Sequence, residues 1–167
     1  MEFSKQIWPF KDQLFRFALR LVNDRDDAED VVQEVMIKLW KQGQELLKVQ
    51  NMEAWCMKLT RNQALDRLKS GYTKRKTTWP QDLALTEQGN EPDKQLETAD
   101  TLAYIRQLME ALPENHRSVI HLRDVEGMSY QEIADVLDMT MPQVKTNLFR
   151  ARNTLKSQLI KHSEYGR

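Results

Sequence analysis

Apolar positions recur at helical spacing along most of the chain, and the recurrence breaks at turn formers. Leu14, Phe17, Ala18 and Leu21 make the first stripe, within residues 10–22. Ala28, Val32, Val35 and Leu39 make the second, in AEDVVQEVMIKLWKQ, and Gly43 ends it. A third stretch, MEAWCMKLTRNQALDRLKS, carries Met52, Trp55, Cys56 and Leu59 on one face, then Leu65 and Leu68, up to Gly71. Spacings of three and four place these side chains on one side of a helix. Amphipathic helices of this length share a core that none sustains alone. Asp24 or Asp26 is placed to cap the second helix, and the acidic residues that follow suit its N-terminal end. Trp8 and Trp40 are expected to close the same small domain.

Residues 71–100 lose the pattern. GYTKRKTTWPQDLALTEQGNEPDKQLETAD mixes turn formers and opposite charges and holds no sustained helical period before Leu96, so most of it reads as a tether. Trp79 and Leu83–Leu85 are apolar enough to dock on a flanking domain. Helical spacing resumes near Glu97 with Leu102, Ile105, Met109 and Leu112, and Pro113 interrupts it. Residues 114–124 form a further helix, packing through Val119, Ile120 and Leu122. Ser129 with Glu132, and Thr140 with Gln143, have the spacing of capping boxes before two more helices. The shorter uses Ile133, Ala134 and Leu137; the longer uses Val144, Leu148, Ala151 and Leu155. The expected fold class is all-α, two small helical domains joined by a linker. The boundaries are 1–72, a variable linker 73–99, a C-terminal domain 100–162 containing a helix-turn-helix, and a tail 163–167.

The helix-turn-helix is residues 129–152, SYQEIADVLDMTMPQVKTNLFRAR. Small Ala134 lies where the two backbones approach, Val144 locks the second helix against the first, and Asp138 suits a left-handed turn position. This arrangement places a helix in a DNA major groove. Its charge agrees: no acidic residue occurs from Met139 to Ser163, while Lys145, Arg150, Arg152, Lys156 and Lys161 are basic. Gln143, Thr146 and Arg150 project away from the core as candidates for base edges, and Lys145 and Arg152 for phosphates. A helical hairpin used only for assembly also needs caps and an apolar stripe, but it does not require the acid-free stretch.

Composition and charge narrow the class. Charged residues are 30% of the chain, yet 25 basic and 25 acidic residues cancel, which excludes a globally basic nucleic-acid binder and leaves a locally basic one. The charges are sorted by helix. Asp27, Asp30 and Glu34 gather on one face of the second helix, where nucleic acid is repelled and a basic protein surface is welcome. Lys58, Arg61 and Lys69 group near Asn62 on the third, and Lys74, Arg75 and Lys76 continue the run. Taken alone each run also fits a solvated surface; together they suggest one side for protein and another for DNA. No apolar run approaches bilayer length, the N-terminus shows no signal core, and the single cysteine, Cys56, fits a reducing compartment. The expected location is the cytoplasm.

At this point the residues resemble a family. DDAEDVVQEVMIKLWK is similar to the core-polymerase-binding helix of bacterial extracytoplasmic-function (ECF) sigma factors of the sigma-70 superfamily. NMEAWCMKLTRNQALDRLKS resembles the following helix, which handles the proximal promoter element. LPENHRSVIHLRDVEGMSYQEIADVLDMTMPQVKTNLFRARNTLKSQL resembles the domain that reads the upstream element. The resemblance covers about residues 8–72 and 100–160. It departs at Asp138, where the family commonly has Gly, and near Pro142, where a small residue is usual.

The resemblance implies a non-catalytic transcription initiation subunit. It would bind bacterial core RNA polymerase through Asp27, Asp30, Gln33 and Glu34, direct it to specific promoter DNA, and help open the duplex. The loop Val49–Asn51 resembles one that captures a flipped non-template base. Asn51, Lys58, Arg61 and Asn62 would contact proximal promoter DNA, with Lys69, Lys74 and Arg75 on the backbone. Gln143, Lys145, Thr146, Arg150 and Arg152 would contact the upstream element. The free protein is expected to be monomeric and nucleoid-associated once in holoenzyme, and the resemblance admits an anti-sigma factor as a further partner.

No enzyme signature competes. The chain has no phosphate loop, no dinucleotide fingerprint and no H-E-x-x-H motif. His116 and His121 stand five residues apart, a poor same-face ligand pair, so neither a metal nor another cofactor is expected. A DNA-binding regulator whose N-terminal domain senses or assembles with another protein is the other reading, and it predicts duplex binding without polymerase.

Overall fold

Single residues set the helix ends of the N-terminal domain. In the computed structural model, which describes residues 3–72 and 92–165, α1 (Phe3–Ile7) and a tight turn (Trp8–Phe10) lead into α2 (Lys11–Val22). Asn23 takes a left-handed backbone, φ 53°, and its amide closes α2 onto Leu19 O. Asp24, not Asp26, caps α3 (Arg25–Gln42), its carboxylate accepting from Asp27 N at 2.9 Å. Gly43, with φ 52°, ends α3 in a conformation a branched side chain resists. A second tight segment (Gly43–Lys48) reaches Asn51, whose Oδ1 accepts from Ala54 N at 3.0 Å to start α4 (Met52–Tyr72).

Leu14, Phe17 and Ala18 of α2 and Ala28, Val31, Val35 and Leu39 of α3 are fully buried, as their spacing requires. The buried face of α4 is rotated from the expected one: Cys56, Met57, Thr60 and Ala64 are fully buried, while Trp55 and Leu59 are partly so and Leu68 is exposed. Thr60 survives burial because its hydroxyl donates to Cys56 O at 2.8 Å. Burial pushes the Cys56 thiol up to about 12, against a smaller opposing backbone hydrogen bond. Trp8 and Trp40 do not close the domain; both are exposed, and Lys11 Nζ lies 4.6 Å over the Trp8 ring. Ile7 takes the core position beside Trp8, and Trp40 is one residue past buried Leu39, about 100° around the helix.

In the C-terminal half α5 (Pro92–Ala111) begins upstream of Glu97. After Pro113, α6 (Glu114–Ile120) widens into a single π turn (His121–Val125), followed by α7 (Tyr130–Leu137) and α8 (Met141–Tyr165). Both capping boxes form. Ser129 N donates to Glu132 at 2.7 Å and Glu132 N to Ser129 Oγ at 3.2 Å. Thr140 N donates to Gln143 at 2.9 Å and Gln143 N to Thr140 Oγ1 at 3.3 Å. Asp138 is left-handed, φ 52° and ψ 46°, and turns the chain between α7 and α8. Val144, Leu148 and Ala151 of α8 are buried, with Ile133, Val136 and Leu137 of α7 buried as well. Every regular element among the described residues is helical. Trp79 and Leu83–Leu85 lie outside the described residues.

The two halves meet where α4 packs on α7 and α2 approaches α6. Phe17 stacks on His121 with ring centroids 5.5 Å apart. Arg16 donates from Nε and Nη2 to the two oxygens of Glu126, each at 2.9 Å. His121 Nε2 lies 3.2 Å from Glu126 Oε1, without forming an aligned hydrogen bond. Burial lowers the His121 pKa, outweighing its contact with Glu126, while Arg20 and Arg16 push the same way as burial. Burial alone would raise Glu126, but its contacts with His121 and then Arg16, and their charges, prevail and bring it down to about 2.

Both shifts have one sign. A depressed folded pKa means the unfolded chain binds protons first, so stability falls as pH falls. The His121 contribution is complete above the unfolded histidine value near 6.5 and is lost below it; that of Glu126 is lost from near 4.5 down to about 2. Thermal unfolding followed by circular dichroism should show a midpoint declining from pH 7 to 5, and His121→Phe should flatten that part of the curve. An unchanged slope in the variant would remove His121 from the account.

Candidate nucleic-acid and protein interfaces

The acidic face of α3 is partly neutralised from within. Arg67 of α4 reaches across, its Nε donating to Asp27 Oδ1 at 3.0 Å and its Nη2 to Asp30 Oδ2 at 2.7 Å, with Nη1 3.7 Å from Glu34 Oε1. Gln63 also donates to Glu34 and accepts from Lys38. Asp27 is mostly covered, with 16% of its side chain exposed, whereas Asp30 and Glu34 keep 51% and 43%. Gln33 is exposed beside them. The face open to a partner is therefore Asp30, Gln33 and Glu34, with Asp27 holding Arg67 in place beneath. Sequence spacing grouped the acids but carried no sign of Arg67, which lies 33 or more positions away.

Asn51, in the loop that precedes α4, and Lys58, on α4, both reach side chains of the C-terminal half. Asn51 caps the helix with its oxygen and donates from Nδ2 to Glu132 Oε1 at 2.8 Å. Lys58 Nζ is 2.8 Å from Asp138 Oδ1, and Arg61 Nε is 3.8 Å from Glu114 Oε1. Asn62 and Lys69 are exposed. Lys74 and Arg75 lie outside the described residues. Beside the loop, Gln6, Phe10, Leu46, Leu47, Val49, Gln50 and Met52 line a cavity of about 270 Å³. Phe10, Leu46 and Leu47 were not foreseen there, because they come from the two tight turns rather than from a periodic helix. Trp55 points elsewhere: its indole donates to Gln42 Oε1 at 3.1 Å and the ring packs against the core.

On α8 the buried residues Val144 and Leu148 leave Gln143, Lys145, Thr146 and Arg150 on the exposed side. Phe149 is exposed with them. Gln143 spends its carbonyl oxygen on the Thr140 cap. Arg152 is already engaged: Nε donates to Asp124 Oδ2 at 3.1 Å, Nη2 bonds the other oxygen, and this pairing raises its pKa. Its cation is thus tied to the π turn of its own domain. The Thr154 hydroxyl donates to the Arg150 backbone oxygen at 2.9 Å.

The sequence matches the model for Sigma-70 region 2 over residues 9–73 and that for Sigma-70, region 4 over residues 102–155. It is 31% identical over 147 residues to the ECF RNA polymerase sigma factor SigL of Mycobacterium tuberculosis, covering 87% of this chain and 82% of the relative. The chain belongs to the ECF RNA polymerase sigma factors. Sigma factors of this class are non-catalytic subunits that direct RNA polymerase to promoters. A second relative, the ECF RNA polymerase sigma factor SigE of Mycolicibacterium smegmatis, is 29% identical over 153 residues; these cover 91% of this chain but 59% of that longer protein. The fold is also that of the sigma factor RpoE solved in complex with the anti-sigma factor NepR from Bartonella quintana. That match has a TM-score of 0.77 at 24% identity and covers 95% of this chain and 96% of the other. The region 2 match contains α2 to α4, and the region 4 match contains the helix-turn-helix. No helix among the described residues of this sigma factor is long and apolar enough to cross a membrane.

Proposed function

We propose that this sigma factor docks on core RNA polymerase through Asp30, Gln33 and Glu34, with Asp27 supporting the face through Arg67. It reads the upstream promoter element with Gln143, Thr146 and Arg150, while Lys145 serves the phosphates. Arg152 joins the phosphate contacts on release from Asp124. The proximal element is held by Asn51, Lys58, Arg61, Asn62 and Lys69, continued by Lys74 and Arg75. Opening is helped by capture of a non-template base in the cavity beside Val49–Asn51. Unstacking a base costs a few kcal/mol, and an apolar cavity with cationic side chains beyond it offsets that cost without nucleotide hydrolysis. Two modest contacts on one chain reinforce each other once both sites are spanned. An anti-sigma factor of the kind that binds the solved relative is a further partner.

The observation that carries this reading is the division of one small domain into an acidic helix face on α3 and a cationic face on α4, joined to a helix-turn-helix whose second helix holds no acid from Met141 to Ser163. A lone DNA-binding regulator needs the last feature only. The deciding experiment adds the purified chain to sigma-free core polymerase on a pooled genomic promoter library. Discrete new start sites that depend on the chain are expected. Duplex binding by the free chain with no polymerase association and no new starts would replace this reading with that of a regulator.

A further inference from the structure

Positive charge gathers without compensation at one point of the seam between the two halves, where α2 approaches α6. Arg16 and Arg20 stand about one turn apart on α2. Arg16 is held by both oxygens of Glu126. Arg20 is half-buried, and the groups that act on it are further arginines, Arg106 of α5 and Arg117 of α6. Burial first, then Arg106 and Arg117, lowers the Arg20 pKa, and the Glu110 carboxylate opposes them by less. Arg117 donates from Nη1 to the backbone oxygen of Glu110 at 3.4 Å. The Nε atoms of Arg20 and Arg117 are closed off from solvent and find no hydrogen-bond acceptor among the described residues.

Three guanidinium groups and one exposed carboxylate leave two positive charges over. A lysine in such a place can shed its proton; an arginine cannot. A sheltered charge without a partner is costly, so relief has to come from an anion. Guanidinium forks suit phosphate, whose oxygens they grip in pairs. A phosphate monoester carries close to two negative charges at neutral pH, which is the charge left over here, whereas a diester carries one. The cluster is open on its solvent side, since Arg20, Arg106 and Arg117 are each only partly covered. We propose that Arg20, Arg106 and Arg117 form a binding site for a dianionic phosphate group, bridging α2 to α5 and α6. None of the three belongs to the polymerase or promoter faces described above, so the site stands apart from both.

Thermal unfolding of the full chain at about pH 8, where inorganic phosphate is mostly a dianion, tests the site against chloride at equal ionic strength. Inorganic phosphate near saturation should raise the wild-type midpoint by about 4 °C or more over chloride. Arg20→Met keeps an apolar stem and removes the charge, and Arg106→Gln removes a second charge from a different helix. In chloride both variants should melt at or above wild type, because repulsion between the arginines is relieved. In phosphate both should melt below it, a reversal that residues with a packing role alone would not show. Phosphate also favours compact states in general. Lys41→Gln, exposed on α3, reports that part and should gain as much as wild type. Methyl phosphate, a dianionic monoester, should match inorganic phosphate if the ligand is an ester and fall short of it if the ligand is the free ion. Broadening of the phosphorus resonance of inorganic phosphate by wild type and not by Arg20→Met would place the ion at the cluster. Equal phosphate shifts in wild type, Arg20→Met and Arg106→Gln would overturn the site. An equal shift from dimethyl phosphate, a monoanionic diester, would overturn its preference for a dianion.

Discussion

Asp30→Arg combined with Glu34→Arg should weaken association with core polymerase by about 100-fold or more, on the order of 2.7 kcal/mol. These are the two acids of the α3 face that keep about half of their side chains in solvent. Reversal replaces attraction to a basic partner by like-charge contact, which costs an interface several kcal/mol. Arg67 complicates the result, because it loses two of its three carboxylates and gains two cationic neighbours. Asp27 is retained for that reason: at 3.0 Å from Arg67 Nε and mostly covered, it keeps the guanidinium seated. Repulsion at the exposed positions is softened by water and salt, so the domain should stay folded. Equilibrium binding to labelled core polymerase measures the effect, and a melting curve close to wild type separates it from unfolding. Core affinity unchanged in a folded variant would show that α3 is not the docking face.

Val144→Asp should do the reverse, sparing core association and abolishing upstream recognition. Val144 is fully buried between α7 and α8 and holds the second helix of the motif at its angle. A carboxylate there would take the place of a side chain that is wholly shielded from solvent. Burying an unpaired charge is among the few mechanisms that cost about 4 kcal/mol or more. The C-terminal domain should lose its native packing, seen as fast amide exchange in residues 130–155, while α2 to α4 stay protected. Footprints on the upstream element should vanish, and Val144→Ile should leave them in place. A variant that exchanged slowly and still footprinted normally would mean that Val144 does not fix the recognition helix.

Local signals were the legible part of this protein. Ser129 with Glu132, Thr140 with Gln143 and the left-handed Asp138 were readable because a cap or turn is decided within four residues. The stripes of α2 and α3 were readable because each helix buries one face. The face of α4 was misjudged because the helix is covered twice, by α2 and α3 on one side and α7 on another. A helix packed on several sides buries small residues such as Ala54 and Ala64 and a self-bonded Thr60, which leave no strong stripe. The acids of α3 were found and their partner Arg67 was not. Nor was any pair across the seam, since a contact between residues 53 or more apart has no period in the chain. Trp8 and Trp40 were misplaced by their size alone: bulk favours burial, but angular position on the element decides it.

Cys56 gives the N-terminal domain a built-in clock. Its thiol is the single one in the sequence, fully covered by the packing of α4, and its high pKa leaves almost no thiolate at neutral pH. Reaction with a disulfide reagent therefore waits for the helices around it to part. The labelling rate counts those partings in the intact molecule, without added probes or engineered residues. Whatever frays the packing of α4 against its neighbours quickens that rate.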